Sequence, residues 1–348
     1  MISICMIVKD ESRILENSLK NISKYGYEII IVDTGSKDNT KEIANKYTDK
    51  VYDFKWENDF SMARNFSISK ASNDLILVVD ADEVIVELDK QLLKCNINKH
   101  MVGRILRINK YSRGQDEFKY NERVNRFFCK NEFKYEGSIH EQVVSKNGKN
   151  YLTYNIPITM EHFGYEDDEI KRKDKTKRNI ELLKVELESK GKDPYILYQL
   201  GKSYYMESNY QMAEFYFNKA LDFDLDTNLE YVQDMIESLG YALINEKKYE
   251  ESMKLLGVYS EFSSSADFVF LVGLIYMNNG YFDKAVKEFK NAKKYEECKI
   301  QGINDYLANY NIGVVLECLG NEKEAIKYYK KSITYKLSKE RINLLEAK

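Results

Sequence analysis

A run of apolar residues, Leu75-Ile76-Leu77-Val78-Val79, delivers two aspartates, Asp80 and Asp82, separated by one alanine. Such a run reads as a strand, and open α/β sheets gather their ligands at the carboxyl ends of strands. Residues i and i+2 of an extended segment point the same way, so the spacing predicts two carboxylates on one side. That is half a shell for a hard cation, which magnesium or manganese would complete with water and phosphate oxygens. Taken alone, an acidic turn is the plainer reading; position on a fourth parallel strand favours the metal. Upstream, Asp33 closes another strand-like run and is followed by Ser36, Asp38 and Thr40. Asp33 could accept hydrogen bonds from a nucleobase or ribose above the sheet edge, whereas Ser36, Asp38 and Thr40 read mainly as turn and capping residues. Between these clusters lie Trp56, Asp59, Ser61, Arg64 and Asn65. Arg64 is a fork suited to a diphosphate and Trp56 a wall suited to a ring. A surface ion pair and a half-buried core tryptophan are the alternatives.

These residues need a scaffold, and the first hundred positions supply an α/β pattern. Strands are expected over residues 2–8, 28–32, 51–54 and 74–79. Helices are expected over 11–25, with Ile14, Leu15, Leu19 and Ile22 on one face, from about 38 to 47, and over 61–71, started by Asp59 or Ser61. Strand, helix, strand at this spacing requires parallel crossovers. From about 103 to 155 alternating segments such as 104–108 and 124–128 read as half-exposed strands that extend the sheet. Residues 157–165 return to extended chain, and a charged run over 166–178 leads into helix.

The chain has 348 residues, 53 Lys+Arg against 56 Asp+Glu and a net charge of −3, a balance that offers no global field for nucleic acid. Its length favours two domains over one. Five cysteines, without a Cys-x-x-Cys pair, argue against a disulfide framework or a structural zinc, and they read as buried small hydrophobes in a reducing compartment. The longest late apolar stretch, 268–277, is half a bilayer span, and residues 2–8 lack the flanks of a targeting segment. A cytoplasmic protein is expected, and the Lys, Asn, Ile and Tyr bias suits an AT-rich bacterial genome.

The second half is helical and repeats. Gly201, Gly240, Gly273 and Gly313 each follow an aliphatic residue. Alanine follows three of them by twelve positions, at Ala213, Ala285 and Ala325, then an aromatic at Phe217, Phe289 and Tyr329, and a small residue at Ala220, Ala292 and Ser332. This small/large interlock is that of tetratricopeptide helix pairs, with the repeat at Gly240 degenerate (Ser252, Leu256, Tyr259). A generic helical bundle is the plainer alternative. The expected architecture is therefore an α/β mixed-sheet domain over residues 1–180 and an all-α repeat domain over 181–348.

The N-terminal half resembles the family-two, GT-A-type glycosyltransferases. The opening Ile7-Val8-Lys9-Asp10-Glu11-Ser12, the segment Val32-Asp33-Thr34-Gly35-Ser36-Lys37-Asp38-Asn39-Thr40, Ala63-Arg64-Asn65 and Val79-Asp80-Ala81-Asp82 occur in that family's order. Trp56-Glu57-Asn58-Asp59-Phe60-Ser61, Gly137-Ser138-Ile139-His140-Glu141 and His162-Phe163-Gly164-Tyr165 resemble the bacterial subgroup that joins this domain to tetratricopeptide-like helices. That subgroup includes sublancin-type peptide S-glycosyltransferases and flagellin glycosyltransferases.

The resemblance implies a nucleotide-sugar donor, commonly a UDP-sugar, with Asp33 on the nucleoside, Arg64 on the diphosphate or ribose side and Asp80 near ribose and sugar. Asp82 would ligate the divalent metal, Mn2+ or Mg2+, that neutralises the leaving UDP. Transfer in this family is typically inverting and needs one general base. Glu141 is the candidate, following a hairpin and a glycine turn; a structural pair with Arg126 or Arg123 is the alternative. Trp56 and His140 are counted with the donor-binding residues. His162 could be the nitrogen ligand of the metal or a phosphate contact, although a lone histidine is more often structural. His100 reads as surface. Arg172 or Lys175 could close over the phosphates, but a solvated helix face is the default. The repeats, dense in tyrosine (Tyr195, Tyr198, Tyr204, Tyr205, Tyr210, Tyr216), would hold a protein or peptide acceptor or form a homodimer. The competing classes are a repeat-based interaction protein with a non-catalytic sheet domain and a glycosyltransferase of surface polysaccharide.

Overall fold

The computed structural model describes residues 1–95, 97–113, 116–163 and 169–347. Gly164 and Tyr165 lie outside the described residues, as do the side chains of Arg172 and Lys175. The chain divides into two compact units, Met1–Ser112 with Lys119–Asp168, and Arg113–Phe118 with Glu169–Lys348.

The first unit is built on β1 (Ile2–Val8), α1 (Leu15–Ser23), β2 (Glu28–Asp33), α2 (Thr40–Ala44), β3 (Val51–Asp53), α3 (Phe60–Ser69) and β4 (Leu75–Val78). β5 (Glu83–Leu88), α4 (Lys90–Cys95), β6 (Val102–Arg113), β7 (Asp116–Cys129), β8 (Phe133–Glu136), β9 (Gln142–Ser145) and β10 (Thr153–His162) follow. Among the described residues the main sheet has the order β3-β2-β1-β4-β7-β6-β10-β5, and β8 pairs separately with β9. β1 runs parallel to both β2 and β4, and β2 parallel to β3, as the crossovers require. β4 meets β7 antiparallel, so the sheet is mixed. β1 is buried on both faces. Ile2, Ile4, Met6 and Val8 pack in one cluster with Leu15, Leu19 and Ile22, and Cys5 packs in another with Ile68 and Phe128.

Helix α1 begins later than the periodicity suggests. Residues 10–12 are held elsewhere: the backbone N–H groups of Asp10, Glu11 and Ser12 donate to Ser36 Oγ, Thr40 Oγ1 and Asp38 Oδ2 at 2.9, 2.8 and 3.1 Å. Ser36, Asp38 and Thr40 thus clasp two loops together, while Asp38 Oδ1 also accepts from Thr40 N–H, the first of α2, at 3.0 Å. Burial opposes the Asp38 charge, but the bonds from Ser12 and Thr40 outweigh it and hold the carboxyl down at about 2.

β4 and β5 are joined by four residues yet stand four strand spacings apart in the sheet. Flat, that gap would be about 19 Å, beyond the roughly 18 Å that five fully extended Cα steps can reach. The connection is shorter still, because Glu83 N–H donates to the Asp80 carbonyl in a turn at 3.1 Å. The sheet must therefore curl, and Arg126 of β7 and His162 of β10 reach Asp80 and Asp82 of this connection.

The second unit comprises α5 (Glu169–Lys190), α6 (Pro194–Met206), α7 (Tyr210–Leu221), α8 (Glu230–Asn245), α9 (Tyr249–Ser252), a 3-10 segment (Met253–Val258), α10 (Tyr259–Phe262), α11 (Ala266–Asn278), α12 (Phe282–Ala292), α13 (Tyr306–Cys318), α14 (Glu322–Lys331) and α15 (Lys336–Glu346). The glycine pattern has the expected cause. A Cβ on Gly201, Gly273 or Gly313 would collide with Phe217, Phe289 or Tyr329 of the next helix. At the degenerate repeat, Gly240 meets Leu271 and Leu255 instead, and the second helix breaks into α9, the 3-10 segment and α10. Several of the tyrosines read as a contact surface pack on one another: Tyr204 stacks on Tyr216 at 5.5 Å, and Tyr205 meets Tyr210 edge-on at 5.4 Å. Cys5 and Cys129 are buried, but Cys318 is exposed. No helix among the described residues is long and apolar enough to cross a membrane.

Candidate active site

Helix α3 organises the site. Asp59 caps it, accepting from Met62 N–H at 2.9 Å, and its first N–H, on Phe60, donates to the Ser138 carbonyl at 2.9 Å. One turn on, Asn65 exchanges two bonds with the backbone of Tyr135, at 2.8 and 2.9 Å. The segment between β8 and β9 is thereby strapped to α3. Within it Gly137 and His140 adopt positive φ, 105° and 51°; the second is uncommon for a non-glycine residue and marks local strain. That path sets Glu141 against Arg64, with Arg64 Nε donating at 2.5 Å. The alternative partners Arg126 and Arg123 are not the ones used.

Arg64, 7% exposed, also reaches Asp80 through Nη2 at 2.9 Å, and its guanidinium lies 5.5 Å from the Tyr135 ring centroid. Arg126 binds the other Asp80 oxygen at 2.5 Å, and its Nη2 lies 3.6 Å from Glu83. Arg107 joins Glu83, at 3.3 Å, to Glu122, at 2.9 Å. Three guanidiniums thus meet four carboxylates. Burial penalises the Asp80 charge, but Arg126, Arg64 and Arg107 outweigh it and hold its carboxyl far below the usual range. Burial likewise opposes the Arg64 charge, and Asp80 and Glu141 more than restore it.

Residues 81–82 form a turn, so the extended i, i+2 geometry expected for Asp80 and Asp82 does not hold, and the two take different partners. Asp82 Oδ2 lies 3.0 Å from His162 Nε2, and His162 Nδ1 lies 2.8 Å from Asn109 Oδ1. Burial disfavours the imidazolium, while the bond and charge of Asp82 outweigh it and raise the His162 pKa. Among the described residues no three His, Cys, Asp or Glu side chains converge as a metal cage. A carboxylate beside an imidazole nitrogen nonetheless fits a magnesium- or manganese-type ion that keeps most of its shell for water and phosphate. Asp82 and His162 would hold it; Asp80, engaged by two arginines, would not.

Asp33, 2% exposed, accepts from the Gly35 and Ser36 N–H groups through Oδ1 at 2.9 and 2.8 Å. Its Oδ2 is buried without a hydrogen-bond partner, as is Arg64 Nη1, and such an unmet group costs about 1–3 kcal/mol. Trp56 packs edge-on against Phe60 at 4.8 Å and donates to Asn58 at 3.0 Å. His100 is on the surface, with its side chain 81% exposed.

Sequence reasoning missed Arg107, Asn109 and Glu122, and it offered Arg126 to Glu141 rather than to Asp80. Their signal was present as same-face spacing, Arg107-x-Asn109 on β6 and Glu122-x-Val124-x-Arg126 on β7, but strand register was needed to bring them under residues 79–82.

Residues 3–163 match glycosyl transferase family 2, and residues 194–227, 266–297 and 306–338 match the tetratricopeptide repeat. The chain carries a family-two glycosyltransferase domain followed by tetratricopeptide repeats. It is 29% identical over 233 residues to a TPR repeat-containing protein of Synechococcus elongatus, an alignment covering 63% of this chain and 56% of that protein. It is 26% identical over 226 residues to the SPbeta prophage-derived glycosyltransferase SunS of Bacillus subtilis, covering 62% and 52%. The chain thus spans about half the length of the curated relatives it matches. Among solved structures, MamA from Desulfovibrio magneticus aligns at 20% identity and a TM-score of 0.40, covering 47% of this chain and 86% of that one.

Proposed function

We propose that this chain is a metal-dependent, inverting glycosyltransferase. It moves a hexose or N-acetylhexosamine, from UDP-glucose or UDP-N-acetylglucosamine, to a side chain of a protein or peptide such as flagellin. The observation that carries the reading is the gathering of Arg64, Asp80, Asp82, Glu141 and His162 around the short β4–β5 connection, with Asp33 at the carboxyl end of parallel β2. The family-two domain and the likeness to a named glycosyltransferase support it.

In this reading Asp33 takes a nucleoside N–H or O–H with its unmet oxygen, Arg64 turns Nη1 to the diphosphate side, and Asp80 lies near the ribose and sugar. Trp56 and His140 flank the donor. Asp82 and His162 hold Mn2+ or Mg2+, which when bound neutralises the departing diphosphate. The need for it follows from charge: carboxylates outnumber guanidiniums here, so an anionic donor needs an added cation. Glu141 accepts the proton of the acceptor hydroxyl or thiol as that atom attacks the anomeric carbon opposite the leaving group. The repeats hold the acceptor chain or a second copy.

The test is a thermal-shift titration with UDP, GDP and UDP-sugars, with and without Mn2+. A site filled to a hundred times its Kd stabilises by about 2.7 kcal/mol. A Mn2+-dependent shift with UDP that disappears in Asp82→Ala is expected; no shift with any nucleotide would instead favour a repeat-based interaction protein.

A further inference from the structure

The imidazole of His162 has an oxygen acceptor at each nitrogen, Asn109 Oδ1 at Nδ1 and Asp82 Oδ2 at Nε2. Asn109 is not free to turn its amide over. Its Nδ2 donates to Glu122 Oε1 at 2.5 Å and lies 3.4 Å from the Tyr120 carbonyl; a flip would set Oδ1 against the Glu122 carboxylate, acceptor against acceptor. Glu122 is in turn held by Arg107, with Nε at 3.0 Å and Nη2 at 2.9 Å. Asn109 and His162 are register partners on parallel β6 and β10, so the backbone fixes their spacing. With no ion bound, an imidazolium satisfies both acceptors; the neutral ring that can bind a cation has one N–H, serves only one acceptor, and leaves a lone pair on the other nitrogen.

We propose that Asn109, clamped by Glu122, is the positioning residue that keeps the His162 proton on Nδ1, so that the Nε2 lone pair and Asp82 together face a divalent cation. The inference rests on the metal site proposed above. An Asp–His pair does not by itself specify this arrangement. Without an acceptor at Nδ1, the ring's single proton would sit on Nε2 and bond to Asp82, leaving no lone pair for the ion. Outer partners of this kind fix the ring tautomer of a metal-binding histidine, and removing them typically weakens metal affinity about 10–100-fold.

The experiment uses the full chain and the metal alone, without nucleotide. Mn2+ affinity is measured by calorimetry for the wild type, Asn109→Leu, His162→Ala, and Asn109→Asp combined with Glu122→Gln. The last exchanges the amide and carboxylate ends of the clamp and keeps an acceptor at Nδ1, with Arg107 left to bond the one side-chain oxygen that remains at position 122. Circular dichroism checks that each variant folds. Asn109→Leu is expected to weaken Mn2+ binding tenfold or more, in the range of about 10–100-fold, and the exchanged pair to recover most of the loss. Long-range proton–nitrogen spectra of the Mg2+-bound wild type are expected to show His162 protonated at Nδ1 only. That measurement needs no variant, so the proposal is tested even where Asn109→Leu does not fold. Unchanged affinity in Asn109→Leu, with His162→Ala losing it, would overturn the positioning role and leave the metal site standing. Unchanged affinity in His162→Ala would remove the metal site and the positioning role with it, and a proton on Nε2 in the Mg2+-bound spectrum would overturn the proposal directly.

Discussion

Arg64 binds Glu141, 77 positions further along the chain, through Nε at 2.5 Å, and the same guanidinium holds Asp80 through Nη2 at 2.9 Å. A residue on α3 therefore ties the carboxylate read as general base to the first aspartate of the Asp-x-Asp segment. The tie accounts for two of its nitrogens, and Nη1 is buried without a hydrogen-bond partner. Arg64 is thus a structural strut as well as the donor contact proposed above.

Replacing Arg64 with methionine strands carboxylates that it neutralises. Breaking a buried pair by removing one partner costs about 3–5 kcal/mol, and Arg126 still covers Asp80, so the lower end is expected. Urea denaturation reads it. A midpoint equal to wild type would mean that the strut bears no structural role.

Glu141→Gln preserves the shape and an oxygen that can still accept from Arg64, but it removes the proposed base. The expected loss in kcat is about 10²–10⁴-fold, with the UDP-induced thermal shift unchanged. Retention of full turnover would transfer the base role elsewhere.

In the repeats, Gly273→Ala drives a methyl group into the Phe289 ring. Overpacking of this kind costs about 1–3 kcal/mol. Phe289→Leu in the same chain should return part of that loss, so a double-mutant cycle is expected to show coupling between the two sites. Simple additivity would contradict the socket.

Burial pushes the Glu237 carboxyl up to about 7 despite the Lys299 ammonium 2.6 Å away, with Asp267 and Asp234 adding to the rise. A carboxyl raised on folding stabilises fully below its unfolded value and loses that contribution as pH climbs through its folded value. The helical unit should therefore weaken from about pH 4.5 to 7, by at most about 3 kcal/mol. Asp267, also raised by burial, acts in the same direction. Denaturation midpoints at pH 5 and pH 8 should differ in the wild type and differ by less in Glu237→Gln, where Asp267 still titrates; an equal pH dependence in both would refute the assignment.

Much of the scaffold was legible because it rests on local patterns. Apolar runs such as Leu75–Val78 and the glycine–aromatic spacing of Gly201 with Phe217 are decided within one element or one helix pair. Asp33, Arg64 and Asp82 were legible as chemistry-bearing types at strand and helix ends. The clasp of Ser36, Asp38 and Thr40 on residues 10–12 was not legible, because nothing local reveals that those residues lie within bonding reach. The partners of Asp80 and His162 were hidden for the same reason. Arg126 and Asn109 look like ordinary polar positions of half-exposed strands until β7 and β6 are placed between β4 and β10.

The four residues between β4 and β5 act as a ruler. Their shortness obliges the sheet to curl, and curling brings Arg126 of β7 and His162 of β10 to the same short segment. Two glycines inserted between Ala81 and Asp82 would delete no functional group and alter no charge. The sheet could then relax towards flatness, and the two aspartates would drift from their partners. Chain length at this one connection is as much a determinant of the site as the identity of any side chain in it.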